Sequence, residues 1–326
     1  MKILAVGATG FVGSRVTRQL LAQGHQVALF HRGSTPADDL ASALHFYGTR
    51  HQLPTFKAEF ERFAPDVVLD IIPYTEAQAQ DVVQVFSGCT RRIVAISSGD
   101  VYRNYEGLQG QGSHRPDPVP LAEDAPLRET RYPYREVEGL DAEFKQTYDK
   151  ILVELVLTSQ PNLPATVLRL PAVYGPGDRQ HRFRAYLERM FDQQPIFLGE
   201  SQARWRFSHG YVDNIAAAIA LAVTDDRAAG RVYNLGEPET PTLVERIQRL
   251  GNLVNWTGEA VIFPQDQLPS PLQTNLQWQY HLAIDTTRFR AELGYSEAIA
   301  EADALEQTIA WERESLSAAN TDPGQG

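Results

Sequence analysis

Three glycines, Gly7, Gly10 and Gly13, separate a short apolar run from a helix-spaced one, and no other feature of the sequence restricts the fold as tightly. The run KILAV (2–6) reads as a strand; after the glycines Val12, Val16 and Leu20 recur at helical spacing, and Gly24 is placed to end the helix. Such a turn brings bare backbone close to a ligand, and the helix N-terminus offers unpaired N–H groups and the positive end of its dipole. Linked phosphates are the group it holds, so the chain reads as a binder of a dinucleotide.

Short runs rich in Val, Ile and Leu follow at QVALF (26–30), VVLDII (67–72), RIVAIS (92–97) and ATVLRL (165–170), separated by segments of helix length. Continuous apolar strands alternating with helices imply a parallel sheet covered on both faces, an α/β fold of the Rossmann-type, doubly wound kind. Punctuation at VYGPGD (173–178), GEPETPT (236–242) and LPSPL (268–272) points to a smaller C-terminal substrate domain, whereas NIAAAIALAV (214–223) and VYNLG (232–236) still read as parts of the first. The expected division is 1–171 plus about 205–236 for the dinucleotide-binding domain and 172–204 plus 237–318 for the smaller one, with 319–326 a mobile tail. Between Arg103 and Arg135 the pattern lapses into Gly, Pro and charge, a loop long enough to suggest work at a site.

With 43% hydrophobic and 22% charged residues, the 326-residue chain has ordinary globular usage and can bury a large core. A formal net charge of −11 disfavours a nucleic-acid partner. The single cysteine, Cys89, excludes an internal disulfide and reads as a small buried hydrophobe near a turn. No apolar stretch reaches the roughly 20 residues needed to span a bilayer, and no signal-peptide pattern precedes the first strand, so a cytoplasmic location and no membrane contact are expected.

GATGFVG (7–13), PDVVLDI (65–71), ISSGDVY (96–102), KILVE (150–154), RLPAVYGPG (169–177), YVDNIA (211–216), VYNLG (232–236) and IDTTRFRAELGY (284–295) together resemble the extended short-chain dehydrogenases/reductases, the NAD(P)-dependent epimerase/dehydratase superfamily. The resemblance implies a nicotinamide cofactor along Gly7, Thr9, Gly10, Phe11, Val12, Gly13, Ile71, Ser97, Lys150 and Pro171, and a nucleotide sugar or related carbonyl or hydroxyl compound as small-molecule substrate. It also implies a homodimer through a four-helix contact. After the second strand, where an acid would bind the 2′-hydroxyl of NAD, stand His31, Arg32 and Gly33; Arg32 offers a fork for a 2′-phosphate, so NADP is expected and NAD is the alternative. Asp38 or Asp39 folding back toward the ribose would favour NAD.

The family's hydroxyl, tyrosine and lysine map unevenly. Ser98 and Lys150 match, but the tyrosine position four residues before the lysine holds Gln146, whose amide cannot do acid–base work. On one continuous helix Tyr148 would point about 200° away from Lys150, within an apolar stripe of Phe144, Tyr148, Ile151, Leu152 and Leu155 opposite Gln146, Lys150 and Glu154, unless the helix begins late enough to free it. Tyr132 or Tyr134 reaching in from the loop, Lys150 itself acting as the base, or a sensor or nucleic-acid-associated protein without turnover are the other readings. Asp100 falls where sugar dehydratases carry an acid, but Gly99 replaces their partner acid. Pro171 and Tyr174 border the crossing into the smaller domain, where Ala172 replaces the usual asparagine. If RWRFSHG (204–210) is a strand, Arg204, Arg206 and Ser208 share one face, with Trp205, Phe207 and His209 on the other; Asp100, Tyr174, Arg204 and Arg206 are the expected substrate contacts. His181 and His209 read as structural.

Overall fold

The computed structural model describes residues 1–35 and 38–321. Its centre is a parallel sheet of seven strands, β1 (Lys2–Val6), β2 (Gln26–His31), β3 (Leu44–Tyr47), β4 (Val67–Asp70), β5 (Arg92–Ser98), β6 (Ala165–Leu170) and β10 (Val232–Asn234), in the order β10-β6-β5-β4-β1-β2-β3. Two parallel pairs lie outside it, β7 (Ala172–Tyr174) with β9 (His209–Tyr211) and β8 (Ile196–Gly199) with β11 (Ala260–Phe263). The alternation of β1 assigns its faces: Ile3 and Ala5 pack with Val16 and Leu20 of α1 (Phe11–Ala22), while Leu4 and Val6 pack with Phe60 of α2 (Lys57–Phe63) and Val82 of α3 (Glu76–Phe86). Burial on both faces is why these strands read as continuous apolar runs.

The chain leaves β1 toward β2 and β3, then crosses to β4 on β1's other side. The carboxyl ends of β1 and β4 therefore diverge at a topological switch point, where α/β sheets form their crevice. The expected strands are all present; the edge strand β3, four residues (LHFY) without an apolar run, was not expected. The long loop contains α4 (Arg103–Leu108), and α5 (Ala142–Thr147) and α6 (Lys150–Thr158) precede β6.

α7 (Arg184–Phe191), α8 (Glu200–Ala203) and α10 (Leu243–Leu253) lie with the β8–β11 pair, α11 (Thr287–Leu293) packs against β10, and α9 (Val212–Thr224) returns to pack on α1. Tyr174, Phe183, Leu187, Ile196 and Leu250 share one hydrophobic cluster with Ile3, Leu69 and Val94 of the sheet, so these elements contribute to a common core. The final helix, α12 (Glu301–Thr321), runs into the segment expected to be a tail; residues 322–326 lie outside the described residues. No helix among the described residues is long and apolar enough to cross a membrane.

Candidate active site

A groove of about 860 Å³ follows the switch point. Its floor is the glycine turn, and the three glycines serve different ends. Gly7 sits at φ +73. A Cβ on Gly13 would meet the Ala8 backbone at 2.5 Å, so helix and turn pack there as only glycine allows. A Cβ on Gly10 would meet nothing within 4 Å, and Gly10 caps α1 without a side-chain bond. The helix-end amides therefore open onto clear space, which fits a dinucleotide's phosphates. Thr9, Phe11, Val12, His31, Arg32, Ser97, Ser98 and Pro171 line the groove as expected; Ile72 does so in place of Ile71, which packs against the core.

At the far end of β2, Arg32 is exposed and has no ion pair among the described residues. Asp39 pairs with Arg18 at 2.9 Å rather than turning to the groove, and the Asp38 side chain lies outside those described. His31 accepts the Gly33 N–H at Nδ1 (3.2 Å), so its proton is on Nε2, donated to His45 Nδ1 (2.8 Å). Burial, then the neighbouring His45, lowers the His31 pKa and favours its neutral ring. Arg50, which also lines the groove, is held by Asp70 through two bonds of 2.8 and 2.6 Å.

The helix expected to carry Gln146, Tyr148 and Lys150 is broken. Helix α5 ends at Thr147, Tyr148 is extended (φ −66, ψ 120), and α6 starts afresh from Asp149, whose carboxylate caps it by accepting the Ile151 and Leu152 N–H groups. Thr75 and Tyr148 form an antiparallel bridge, and the Asp149 N–H donates to Tyr74 O at 3.0 Å. The same carboxylate takes two bonds from Arg128 (2.8 and 3.1 Å) and one from the Tyr132 N–H, in a pair without exposed side-chain surface. Burial would raise the Asp149 pKa; Arg128 and the amides outweigh it and hold it below the usual carboxylate range.

The break leaves Tyr148 on the buried side as expected but exchanges Leu155 with Lys150 and Glu154. Gln146 is exposed on α5 and Leu155 on α6, whereas Tyr148, Lys150 and Glu154 are buried. The Tyr148 hydroxyl donates to Asp100 Oδ2 at 2.7 Å, and the Tyr134 hydroxyl donates to the same oxygen at 2.9 Å. Asp100 Oδ1 is buried without a partner. Burial raises the Asp100 pKa against the pull of Arg128 and the two hydroxyls, and raises both tyrosines, so the phenols stay protonated. Ser98, Asp100, Tyr105 and Tyr134 wall a pocket of about 280 Å³ that shares Ser98, Leu170 and Pro171 with the groove. Tyr132 turns away, its ring under Arg135.

Lys150 Nζ donates to Pro73 O (2.9 Å) and Ile96 O (2.8 Å), beneath the Tyr74 ring at 4.9 Å, and burial lowers its pKa to about 8. It is not itself among the groove-lining residues, although Tyr74 is. Behind them Glu154 accepts from Ser97 and from Arg169 through both oxygens.

Three expected substrate contacts lie elsewhere. Arg204 is exposed and paired with Glu200 at 2.6 Å; Arg206 donates to Thr240 O at 2.6 Å; and the Tyr174 hydroxyl is spent on Glu237 at 2.7 Å. The predicted alternation holds locally all the same, since Trp205, Phe207 and His209 line one pocket while Arg206 and Ser208 both bond Thr240. His209 is held neutral by burial and the nearby Arg246 and Arg182. Sequence reasoning missed Gln180 and Arg182, which border the groove and both pockets; the basic and polar run RQHRFR (179–184) carries the signal.

The sheet order, glycine turn and cleft define a Rossmann-type dinucleotide-binding protein of the short-chain dehydrogenase/reductase class. More particularly, the chain belongs to the NAD dependent epimerase/dehydratase family, whose sequence model matches residues 3–236. Among characterised proteins it is similar to the chloroplast stem-loop binding protein of 41 kDa b of Arabidopsis thaliana (24% identical over 247 residues, 72% of this chain and 58% of that protein). It thus spans less than two thirds of that relative's length. It is also similar to a 2-alkyl-3-oxoalkanoate reductase of Stenotrophomonas maltophilia (24% identical, 77% of this chain and 74% of that one). Of solved structures, UDP-glucuronic acid 4-epimerase from Bacillus cereus in complex with NAD superposes with a TM-score of 0.67 over 97% of this chain and 99% of that one, at 20% identity.

Proposed function

We propose that this protein is an NADP-dependent enzyme that interconverts a carbonyl and a hydroxyl on a small-molecule substrate, with Asp100 as proton carrier in place of the tyrosine that position 146 lacks. The observation that carries this is the Asp100 carboxyl itself. Two phenols donate to Oδ2, the buried and unpartnered Oδ1 is left to hold a proton, and Asp100 is among the residues lining a pocket that shares Ser98 and Pro171 with the cofactor groove. Burial keeps that proton on the acid above the usual carboxylate range.

The bound cofactor supplies hydride. Gly10, Phe11 and Val12 hold its phosphates, and Arg32 offers its fork to a 2′-phosphate. Ser98 donates a hydrogen bond to the substrate oxygen, and Asp100 gives that oxygen its proton in reduction and takes it back in oxidation. Tyr148 and Tyr134 act through Asp100, fixing its rotamer. Lys150, buried beneath Tyr74, places positive charge behind the groove wall. Support from relatives is of the same kind: one is named a 2-alkyl-3-oxoalkanoate reductase, and a structural neighbour is an epimerase solved with NAD.

Calorimetric titration of the pure protein with NADPH and NADH tests the cofactor, followed by absorbance at the nicotinamide band with UDP-sugars, aldehydes and 3-oxo acids. NADPH is expected to bind more tightly, and Arg32→Ala to lower the NADPH:NADH affinity ratio on the order of 10-fold or more, the worth of a charge-assisted bond. Uptake of neither coenzyme, or a ratio untouched by that substitution, would refute the assignment.

A further inference from the structure

One wall of the cleft is built around a residue in an unusual conformation. His181 has φ +48, and its ring lies flat on Trp311 of α12 (centroids 4.8 Å apart, 4° between planes) with Nδ1 2.9 Å from Glu312. Glu312 is held in turn by Arg184 at 2.9 Å. Anchoring this side chain outward leaves its neighbours Gln180 and Arg182 on the cleft side, where each borders the cofactor groove, the Asp100 pocket and a third pocket of about 290 Å³. Asp178 fastens the turn by accepting the Gln180 and Arg182 N–H groups (2.9 and 3.3 Å).

The third pocket is aromatic. Tyr186, Trp205, Phe207 and Leu243 are among its walls, with the Trp205 and Phe207 rings 4.9 Å apart. Its charges are largely cancelled: Arg246 is bound by Glu237 and by Glu301 (2.6 Å), and His209 is neutral. Arg182 differs. Its Nε donates to Val173 O (2.9 Å) and lies 3.6 Å from Asp178, while its two terminal nitrogens have no hydrogen-bond partner among the described residues. One guanidinium end beside an aromatic pocket matches a single anionic group with an apolar neighbour; a diphosphate would call for more positive charge.

We infer that the substrate is a carboxylate-bearing carbonyl compound with an aryl or alkyl tail. Arg182 and Gln180 hold the carboxylate, Ser98 and Asp100 face the carbonyl, and Tyr186, Trp205 and Phe207 enclose the tail. This rests on the carbonyl-converting reading above and narrows it. Arg182 is a specificity-determining residue, and His181 positions it.

The test uses the NADPH-loaded protein and calorimetry with three probes, 3-phenylpropionate, its methyl ester and UDP-glucose. The acid should bind on the order of 10- to 100-fold more tightly than the ester, the usual worth of a charge-assisted bond to a partly desolvated cation. With NADPH held at saturation for each variant, Arg182→Ala and Arg182→Gln should each abolish that preference, and Trp205→Ala should weaken acid and ester alike. Equal binding of acid and ester to the wild type, or tighter binding of UDP-glucose than of the acid, would overturn the inference. Failure of NADPH to bind at all would instead overturn the cofactor reading, so the two are told apart.

Discussion

Removing the carboxylate of Asp149 should cost this protein more stability than any surface change, because that group ends one helix, begins the next and neutralises a buried cation. In Asp149→Ala the Arg128 guanidinium, without exposed surface, keeps its charge and loses both carboxylate oxygens. Breaking a buried pair from one side typically costs about 3–5 kcal/mol. The lost cap on Ile151 and Leu152 adds about 1 kcal/mol, for a sum of roughly 4–6 kcal/mol against a usual total of about 5–15 kcal/mol. Asp149→Asn keeps an N-cap oxygen and should recover only the capping share. Urea unfolding followed by circular dichroism reads both variants. A loss below roughly 2 kcal/mol in the alanine variant would refute the claim that this pair organises the break, since a buried charge stripped of its partner costs more than that.

Two glycine substitutions should separate. Gly13→Ala forces the Ala8 backbone aside and should destabilise by about 1–3 kcal/mol, whereas Gly10→Ala meets open space and should leave the melting temperature nearly unchanged while weakening NADPH binding in calorimetry. The pH profile of kcat/KM for reduction should fall as pH rises through the raised pKa of Asp100, where the acid gives up its proton, and the oxidation profile should rise there. Tyr134→Phe or Tyr148→Phe removes one donor to the ionised carboxylate, so that limb should move to higher pH; a move to lower pH would contradict the sign.

The fold was legible because its signals are local and redundant: β1, the glycine turn and α1 are each specified within a few residues, and the Val- and Ile-rich runs at β4, β5 and β6 announce strands buried on both faces. Strand β3 was not, since LHFY at an exposed edge has no apolar pattern to read. The site was harder for a specific reason. One continuous helical periodicity puts Leu155 with Tyr148 on the apolar stripe and Lys150 and Glu154 opposite; Tyr148 is buried accordingly, but a capping residue resets the phase so that Leu155 is exposed and Lys150 and Glu154 are buried, and Asp149 is paired with Arg128, which is distant in sequence. Arg204 and Arg206 illustrate the converse limit: their spacing suggested a shared face, yet nearby acceptors at Glu200 and Thr240 occupy them, while Arg182 is directed to the cleft by an anchor on α12.

The account turns on where the exchanged proton resides, and single-turnover kinetics asks this most directly, with NADPH-loaded protein mixed against whichever carbonyl compound of the panel reacts fastest. Asp100→Asn should slow reduction by about 10²- to 10⁴-fold with NADPH affinity intact, while Gln146→Ala, altered at an exposed position, should react at the wild-type rate. A fast Asp100→Asn variant alongside a crippled Gln146→Ala variant would place the proton work at position 146 and contradict the assignment.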